Sequence, residues 1–486
     1  MFFAQIIKNI IILYNVCSAV DKDVDKWYTI LTKLGVVMQI QLSDHFTYKR
    51  LLRFVAPSIF MMIFISIYGV VDGLFVSRFV GKTAFASINL IMPFIMILGG
   101  MGFMIGSGGT ALVAKTLGEG DKERANKYFT MMVYFTIILG AALTVFGIIF
   151  IRPISYFLGA SDAMIDDCVT YGVTVIAFTT SFMLQNLFQN FLVTAEKPQL
   201  GLLSTMAAGI TNMILDALFI AVLDLGVLGA ALATGISQCV GAIIPLAYFL
   251  RKNECILRLV KTGLQLKPIV RACTNGSSEL MNNISSSVIS MLYNFKLMEM
   301  LGENGVSAYG VIMYVQFVFI SLYIGYVIGA APIIGYNYGA GNHAELQNVF
   351  KKSVIFMALS GAVLTTLAIS LASPMAKIFV GYDKELFELT KHAFYLFSVA
   401  FLLSGLNIFA STLFTALNNG LISAIISFLR TLVFQAIAVL VLPEIIGEYG
   451  IWYSIAIAEV AAFVISSLFV VAYRKKYHYL PQKANL

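Results

Sequence analysis

The stretch "LGEGDKERANKYF", residues 117–129, returns in altered form as "YGAGNHAELQNVF", residues 338–350. Each copy ends an apolar run with a glycine turn and continues into the polar start of a helix. A shift of 221 positions also aligns residues 50–129 with residues 271–350 without a gap. The shift superimposes Arg50, Gly81, Met92, Gly108, Gly118, Gly120 and Phe129 on Arg271, Gly302, Met313, Gly329, Gly339, Gly341 and Phe350. The chain is therefore predicted to contain two related halves.

The composition identifies the environment of these halves. Of the 486 residues, 59% are hydrophobic and 12% are charged, and the mean hydropathy is +0.88, which excludes an ordinary water-soluble globule. Apolar runs of about 20 residues, long enough to cross a bilayer core, recur along the whole length. Because backbone groups in lipid need internal partners and the alternation of a membrane strand is absent, the runs are predicted to be helices. The expected fold is an all-α polytopic membrane protein.

Twelve transmembrane helices are predicted. They lie near residues 53–77, 86–114, 128–150, 166–192, 199–222, 228–250, 269–298, 307–338, 350–371, 387–415, 420–442 and 450–473. With six spans each, the two halves enter the membrane in the same direction, related by an axis along the membrane normal. We expect two pseudo-symmetric six-helix lobes around a central cavity.

The same reading divides the chain into five parts. They are an N-terminal extension (1–37), a first lobe (38–250), a cytoplasmic linker (251–268), a second lobe (269–474) and a cytoplasmic tail (475–486). The extension contains "FFAQIIKNIIILYNV", which is short for a span and is interrupted by Lys8. It is either an interfacial helix or an untranslated stretch ahead of a true start at Met38.

The net charge of +7 is a topology signal, because the basic residues form short clusters between the apolar runs. Of the 32 lysines and arginines, 24 fall on the side of the predicted membrane that holds the termini, seven on the other side, and Arg430 inside a span. Both termini are predicted to be cytoplasmic, in a protein of the plasma membrane. No nucleic-acid partner is expected.

Several motifs for other chemistry are absent or misplaced. The glycine-rich "GGMGFMIGSGG", residues 99–109, lies inside a long apolar span and follows no soluble strand, so we interpret it as a helix-packing surface. The sequence has no Walker lysine motif, no Ser, His and Asp constellation, and no metal spacing among its cysteines and histidines. An enzyme, a metal site and a bound cofactor are not expected.

Ionisable residues inside the spans are the strongest functional signal, because each costs a few kcal/mol at bilayer depth. In the first lobe they are Asp72 and Asp216. Asn212 precedes Asp216 by four residues and shares its helix face, and Thr234 offers a hydroxyl from the next helix. This all-oxygen set suits a proton or Na⁺. The alternative is that the two acids are helix-packing carboxylates.

The second lobe offers a looser group of candidates. Glu279 lies early in its span and has either a cavity or a structural role, and Arg430 either pairs with a carboxylate or reaches the interface. Glu459 is interpreted as a helix-packing group. The candidate cavity or substrate residues are Glu279, Asn283, Asn190, Asn407 and Arg430.

Three segments carry a resemblance to a known family. They are "LRFVAPSIFMMIFISIYGVVDGLFVSRFVGKTAFASINLIMPF" (52–94), "SGGTALVAKTLGEGDKERANKYF" (107–129) and "NMILDALFI" (212–220). From about Met38 to its end the chain resembles the multidrug and toxic compound extrusion (MATE) transporters, particularly their MepA-like bacterial branch. The resemblance implies a monomeric antiporter that exports cationic, often aromatic compounds against H⁺ or Na⁺, without a covalent cofactor.

The resemblance also implies roles for individual residues. Asp72 is similar to the first-helix carboxylate of the family, and Asn212 with Asp216 is similar to its fifth-helix N-x-x-x-D cation site, with Thr234 as the sixth-helix hydroxyl. Glu279 resembles a seventh-helix acid of some branches. The tenth span lacks the carboxylate that some members use in a second-lobe cation site and has Asn407 instead. Coupling through the first lobe is therefore expected.

Two other functions compete with drug or cation antiport. A flippase for a lipid-linked sugar or polysaccharide precursor has a similar two-lobe architecture, but it needs a cationic cavity for pyrophosphate or acidic sugars. The predicted span interiors offer mainly acids. A membrane-embedded enzyme or a passive channel is the third alternative.

Overall fold

A computed structural model describes residues 40–251 and 255–481, and all regular secondary structure in those ranges is helical. The predictions about residues 1–37 and a start at Met38 lie outside the described residues. The helices are α1 Tyr48–Phe75, α2 Lys82–Gly118, α3 Lys122–Phe157, α4 Ile165–Ile176, α5 Thr179–Thr194, α6 Pro198–Asp216, α7 Gly226–Leu250, α8 Leu266–Asn275, α9 Ser277–Gly339, α10 His343–Val380, α11 Lys384–Ser398, α12 Phe401–Ala416, α13 Gly420–Phe428, α14 Phe434–Ile446 and α15 Glu448–Tyr477.

Several of these helices are broken or irregular. Helix α9 has 63 residues, roughly 95 Å if straight, and breaks at Gly302, where φ is 62° and ψ is −151°. It therefore crosses the membrane twice. The pairs α4 with α5 and α11 with α12 each form one span, bent by 54° and 46°. Counted in this way, the described residues make twelve crossings, and the predicted fold class is confirmed.

Three short π-helical segments interrupt the α-helical geometry. Val76–Val80 follows α1, Ala217–Val222 follows α6, and Leu429–Val433 joins α13 to α14. Such segments are rare and occur often at functional sites. Each lies within four residues of an ionisable side chain inside a span, since Asp72, Asp216 and Arg430 occupy these positions.

The sequence repeat is visible in the backbone. Gly81 and its counterpart Gly302 both have positive φ, 109° and 62°, as do Gly120 and Gly341, 86° and 66°. The residue that follows Gly120 and the residue that follows Gly341 each cap the next helix. Asp121 accepts a hydrogen bond from the Arg124 N–H, and Asn342 accepts one from the Glu345 N–H. The shared register of the halves therefore reflects shared turns and caps.

The halves meet along a glycine seam formed by Gly108, Gly118, Gly276 and Gly339. Their backbones lie so close that an added Cβ would overlap a carbonyl oxygen of the other half, those of Ala272, Tyr336, Met104 and Lys115 respectively. The seam runs along α2, α8 and α9 toward the helix ends nearest the described termini. At that end the two halves are closed against each other.

A terminal strap, residues 40–47, adds a second link at the same end. The Leu42 N–H donates to Glu196 Oε1 at 2.7 Å, in the turn between α5 and α6. The Phe46 N–H donates to Glu345 Oε1 at 2.9 Å, in the first turn of α10. Leu42 and Phe46 are fully buried. The strap therefore ties the first half to the second.

Candidate functional site

The centre of the candidate site is a pair of acids from two helices. Asp72 lies near the end of α1, and Asp216 is the last residue of α6. Their carboxyl groups lie beside each other, and Asp216 is completely buried. The structure therefore brings together the two first-lobe acids that the sequence singled out.

The oxygens around this pair have unused hydrogen-bonding capacity. Asn212 lies one turn before Asp216 on α6, and Thr234 is on α7. Buried oxygens without a hydrogen-bond partner among the described residues are Asp72 Oδ1, Asn212 Oδ1, both Asp216 carboxylate oxygens and Thr234 Oγ1. Because unpaired buried polar atoms are rare and costly, this concentration indicates a site built to bind something.

Two tyrosines complete the surroundings of the acids. Tyr171, on α4, is buried and lies close to both acids and to Thr234, and Tyr68, one turn before Asp72, lies close to that acid. Sequence reasoning missed both residues. The only signal for Tyr68 was its spacing of four positions from Asp72, and Tyr171 carried no local signal because its contacts join distant segments.

The chemistry of this set is that of a small hard cation site. Carboxylate, amide and hydroxyl oxygens are the ligands that Na⁺ and similar ions take in proteins, and a carboxyl pair also binds a proton. The described residues contain no group of three or more His, Cys, Asp or Glu side chains arranged for a metal ion. The carboxylate, amide and hydroxyl oxygens of this set are chemically compatible with a small cation or a proton.

A second group of polar residues lies on both sides of α2. Asn190, on α5, packs against Gly106, and Asn283, on α9, packs against Gly100. The Asn283 amide donates to the Glu279 carbonyl at 2.9 Å, and the Glu279 carboxyl contacts the Asn282 side chain. Three of the five candidate cavity or substrate residues, Asn190, Glu279 and Asn283, therefore lie around the glycine-rich stretch of α2.

Glu279, Asn282 and Asn283 lie close to the glycine seam along the chain. Glu279 follows the seam residue Gly276 by three positions, less than one helical turn. Asn283 lies one turn further from the seam, and Asn282 Oδ1 is buried without a hydrogen-bond partner in the described chain. An acid and an unpaired amide oxygen therefore lie just beyond the closed end of the lobe interface.

The remaining candidates, Asn407 and Arg430, meet in the interior of the second half. Arg430 Nη2 and Nε donate to Glu459 Oε1 at 2.7 and 3.0 Å, and Asn407 Nδ2 donates to Glu459 Oε2 at 2.6 Å. All three side chains are buried. Arg430 was predicted either to pair with a carboxylate or to reach the interface, and in the structure it pairs with a carboxylate. Glu459 is its counter-ion, a role beyond the packing that we expected.

The glycine-rich stretch at 99–109 has the packing role that its apolar context predicts. A Cβ on Gly99 would overlap the Phe182 ring, and one on Gly102 would collide with the Met183 backbone, both on α5. These glycines let α2 approach α5 and α9 closely.

Comparison with known proteins identifies the family. The MatE family model matches residues 57–218 and 280–440, most of both halves. The chain belongs to the MatE family. It is therefore a multi-pass membrane transporter of the multidrug efflux class and not an enzyme.

Individual relatives agree with this assignment. The chain is 24% identical to the multidrug export protein MepA of Staphylococcus saprophyticus over 431 residues, 88% of this chain and 94% of that protein. It is 24% identical to the MepA protein of Staphylococcus haemolyticus over 428 residues, 87% and 94% of the two chains. A multidrug resistance MATE family transporter in an outward-facing conformation has the same fold, with a TM-score of 0.84 and 21% identity over 90% of this chain and 99% of that one.

Proposed function

We propose that this protein is a secondary active multidrug efflux antiporter. It exports cationic or aromatic compounds in exchange for H⁺ or Na⁺ by alternating access. The observation that carries this proposal is the adjacent pair Asp72 and Asp216, in which Asp72 Oδ1 and both Asp216 carboxylate oxygens are buried without a hydrogen-bond partner among the described residues.

The electrostatics of the pair explains why it is suited to coupling. Two negative charges held together away from water repel each other strongly, and the repulsion is relieved when a cation binds between them. Binding energy of this kind shifts a conformational equilibrium only when the two conformations differ in affinity. Both acids are followed by π-helical segments, an irregular backbone geometry that often occurs at functional sites.

The expected cargo follows from the second polar group. Glu279, with the amide side chains of Asn282 and Asn283, offers one negative charge and several acceptor oxygens beside the seam. A cationic compound with an aromatic body fits an acid within an otherwise apolar lobe interface. Asn190 contributes on the opposite side of α2.

The distribution of basic residues supports an orientation with both termini in the cytoplasm. The glycine seam and the terminal strap then close the cytoplasmic side. In the alternating-access cycle that we propose, opening of the seam exposes the first-lobe acids to the cytoplasm and releases the coupling ion there.

A lipid-linked sugar flippase is less well supported. Such a protein needs exposed positive charge for pyrophosphate or acidic sugars. Arg430, which lies within a span, is buried and neutralised by Glu459.

The proposal is tested by ethidium accumulation in cells that lack their own efflux pumps. Expression of the wild-type chain lowers intracellular ethidium, and Asp216→Asn abolishes this effect at equal membrane abundance. Asp166→Asn, an exposed acid in the first turn of α4, is the matched control and keeps full activity. Unchanged efflux by Asp216→Asn would remove the acid pair from the mechanism.

A further inference from the structure

Helix α8 presents an unusual surface at the end of the molecule that holds the termini. Its exposed face carries two apolar side chains, Leu266 and Val270, and two basic side chains, Lys267 and Arg271, in each case four positions apart. Residues at this spacing form adjoining stripes on one side of a helix. Apolar and basic stripes together are typical of helices that lie at a membrane surface, where acyl chains and anionic headgroups meet.

A cavity of about 320 Å³ opens next to this face. It lies between α8, the first residues of α9 and the start of α13, where Gly420 approaches the Asn275 backbone so closely that a Cβ would collide with it. The residues that matter for its chemistry are Arg271, Asn275, Asn418 and Leu421. Neither the acid pair nor the Glu279 group contributes to this cavity.

One part of the cavity is suited to an anion. Arg271 lines it and makes no ion pair within residues 40–251 and 255–481. The first turn of α13 begins at Gly420, and no side chain of the described part of the chain caps it. A guanidinium next to free helix N–H groups is a favourable setting for a phosphate.

Another part of the cavity requires a hydrogen-bond donor. Asn275 is 2% exposed, and its Oδ1 has no partner among the described residues, while its Nδ2 is held by the Thr415 carbonyl at 2.8 Å. Asn418 Oδ1 is also unpartnered, and its Nδ2 is held by the Ala111 carbonyl at 2.9 Å. With the amide nitrogens fixed in this way, both oxygens remain as acceptors for a ligand.

The surface around the cavity favours a ligand with acyl chains. Leu421 lines the cavity and is 71% exposed, and Leu266 on the neighbouring face of α8 is 76% exposed. We propose that the crevice between α8 and α13 binds the headgroup of a phospholipid that carries both a phosphate and an N–H or O–H donor. Arg271 and the start of α13 hold the phosphate, the two asparagine oxygens accept from the donor, and the leucines contact the acyl chains. This site borders the glycine seam but shares no residue with the acid pair or the Glu279 group.

The experiment is native mass spectrometry of the purified full-length protein in detergent with added lipid. Phosphatidylglycerol and phosphatidylethanolamine, which have donors, are expected to bind as one retained molecule more tightly than phosphatidylcholine, which has none. Arg271→Gln is expected to weaken phosphatidylglycerol binding about tenfold, the usual effect of losing a charge-assisted hydrogen bond. Lys267→Gln, one turn away on the same exposed face and outside the cavity, is the matched control and changes it less than twofold.

Three results would overturn this proposal. The first is equal phosphatidylglycerol binding by Arg271→Gln and the wild-type protein. The second is an equal loss in Lys267→Gln, which would indicate diffuse attraction by surface charge. The third is saturation by inorganic phosphate or glycerol phosphate at the lipid's affinity, which would identify a soluble anion as the ligand. Because binding is measured without transport, each result is independent of the antiport proposal.

Discussion

Arg430 and Glu459 form a buried ion pair in the second half of the protein, with guanidinium nitrogens 2.7 and 3.0 Å from one carboxylate oxygen. The Asn407 amide donates to the other carboxylate oxygen at 2.6 Å. The first half pairs two acids, whereas the second pairs an acid with a base. The two related halves therefore hold different electrostatic arrangements, because the second-half acid is neutralised by its base and the two first-half acids lie beside each other.

The first prediction concerns this ion pair. Glu459→Gln leaves Arg430 buried without a counter-charge, and loss of one partner of a buried pair costs about 3–5 kcal/mol. We expect a clear fall in the thermal unfolding temperature of the detergent-solubilised protein. The double variant Arg430→Leu with Glu459→Leu should recover most of that loss, because it buries no charge. A single variant as stable as the wild type would contradict a structural role for the pair.

The glycine seam gives the second prediction. Gly118→Ala places a Cβ against the Tyr336 carbonyl of the other half, so the closed end cannot form without a backbone shift. We expect weaker closure, measured as greater reactivity of a cysteine introduced at the seam toward a water-soluble thiol reagent. Gly310→Ala is the matched control, since nothing lies within 4 Å of its added Cβ. Equal reactivity of the two glycine variants would show that the seam does not control closure.

The terminal strap gives the third prediction. Glu345 accepts hydrogen bonds from the Phe46 N–H at 2.9 Å and the Asn348 amide at 2.7 Å, and its other oxygen lies 2.6 Å from His45 Nδ1. Glu345→Ala removes all three contacts and should release the strap, with faster labelling of Leu42→Cys. Asp44→Ala is the control, because the hydrogen bonds of Asp44 to other described residues join it to Gln41, within the strap. Slow labelling in both variants would mean that hydrophobic burial holds the strap in place without the Glu345 contacts.

Glu196 gives a prediction about pH. Burial raises the pKa of its carboxyl above the usual 4.5, although the hydrogen bond from the Leu42 N–H acts in the opposite direction. A carboxyl with a raised pKa contributes stability that is complete below its unfolded pKa and is lost as pH rises through its folded pKa. The unfolding temperature of the wild type should therefore fall relative to Glu196→Gln as the pH rises above 4.5 toward neutrality. A constant difference between the two proteins across that range would contradict this sign.

Much of the fold was predictable because the membrane imposes simple rules. Run length and hydrophobicity identified the spans. Three of the four seam glycines, Gly108, Gly118 and Gly339, lie at repeat positions visible in the sequence, as do the positive-φ glycines Gly81, Gly120, Gly302 and Gly341. The bends between α4 and α5 and between α11 and α12 were missed, because the hydropathy of a segment carries no information about the direction of its helix axis. The strap was missed because its contacts join residues about 300 positions apart, such as Phe46 and Glu345.

The candidate site was predictable to a similar degree. Asp72 and Asp216 were found because carboxylates inside apolar spans are costly, and that cost is independent of fold. Tyr171 was missed because an aromatic residue in a span is ordinary. Glu459 was seen but was not matched to Arg430, although a buried arginine requires a counter-ion and Glu459 is the acid inside the next predicted span, 450–473.

The coupling proposal rests on the acid pair, and transport by purified protein in liposomes tests it most directly. A fluorescent cation is followed while either a pH gradient or a Na⁺ gradient is imposed alone, for the wild type and for Asp216→Asn. We predict that the wild type moves the cation against its concentration gradient under one of the two gradients, and that Asp216→Asn does so under neither. Uphill transport by Asp216→Asn, or wild-type transport that only runs downhill whichever ion gradient is imposed, would contradict ion coupling through Asp72 and Asp216.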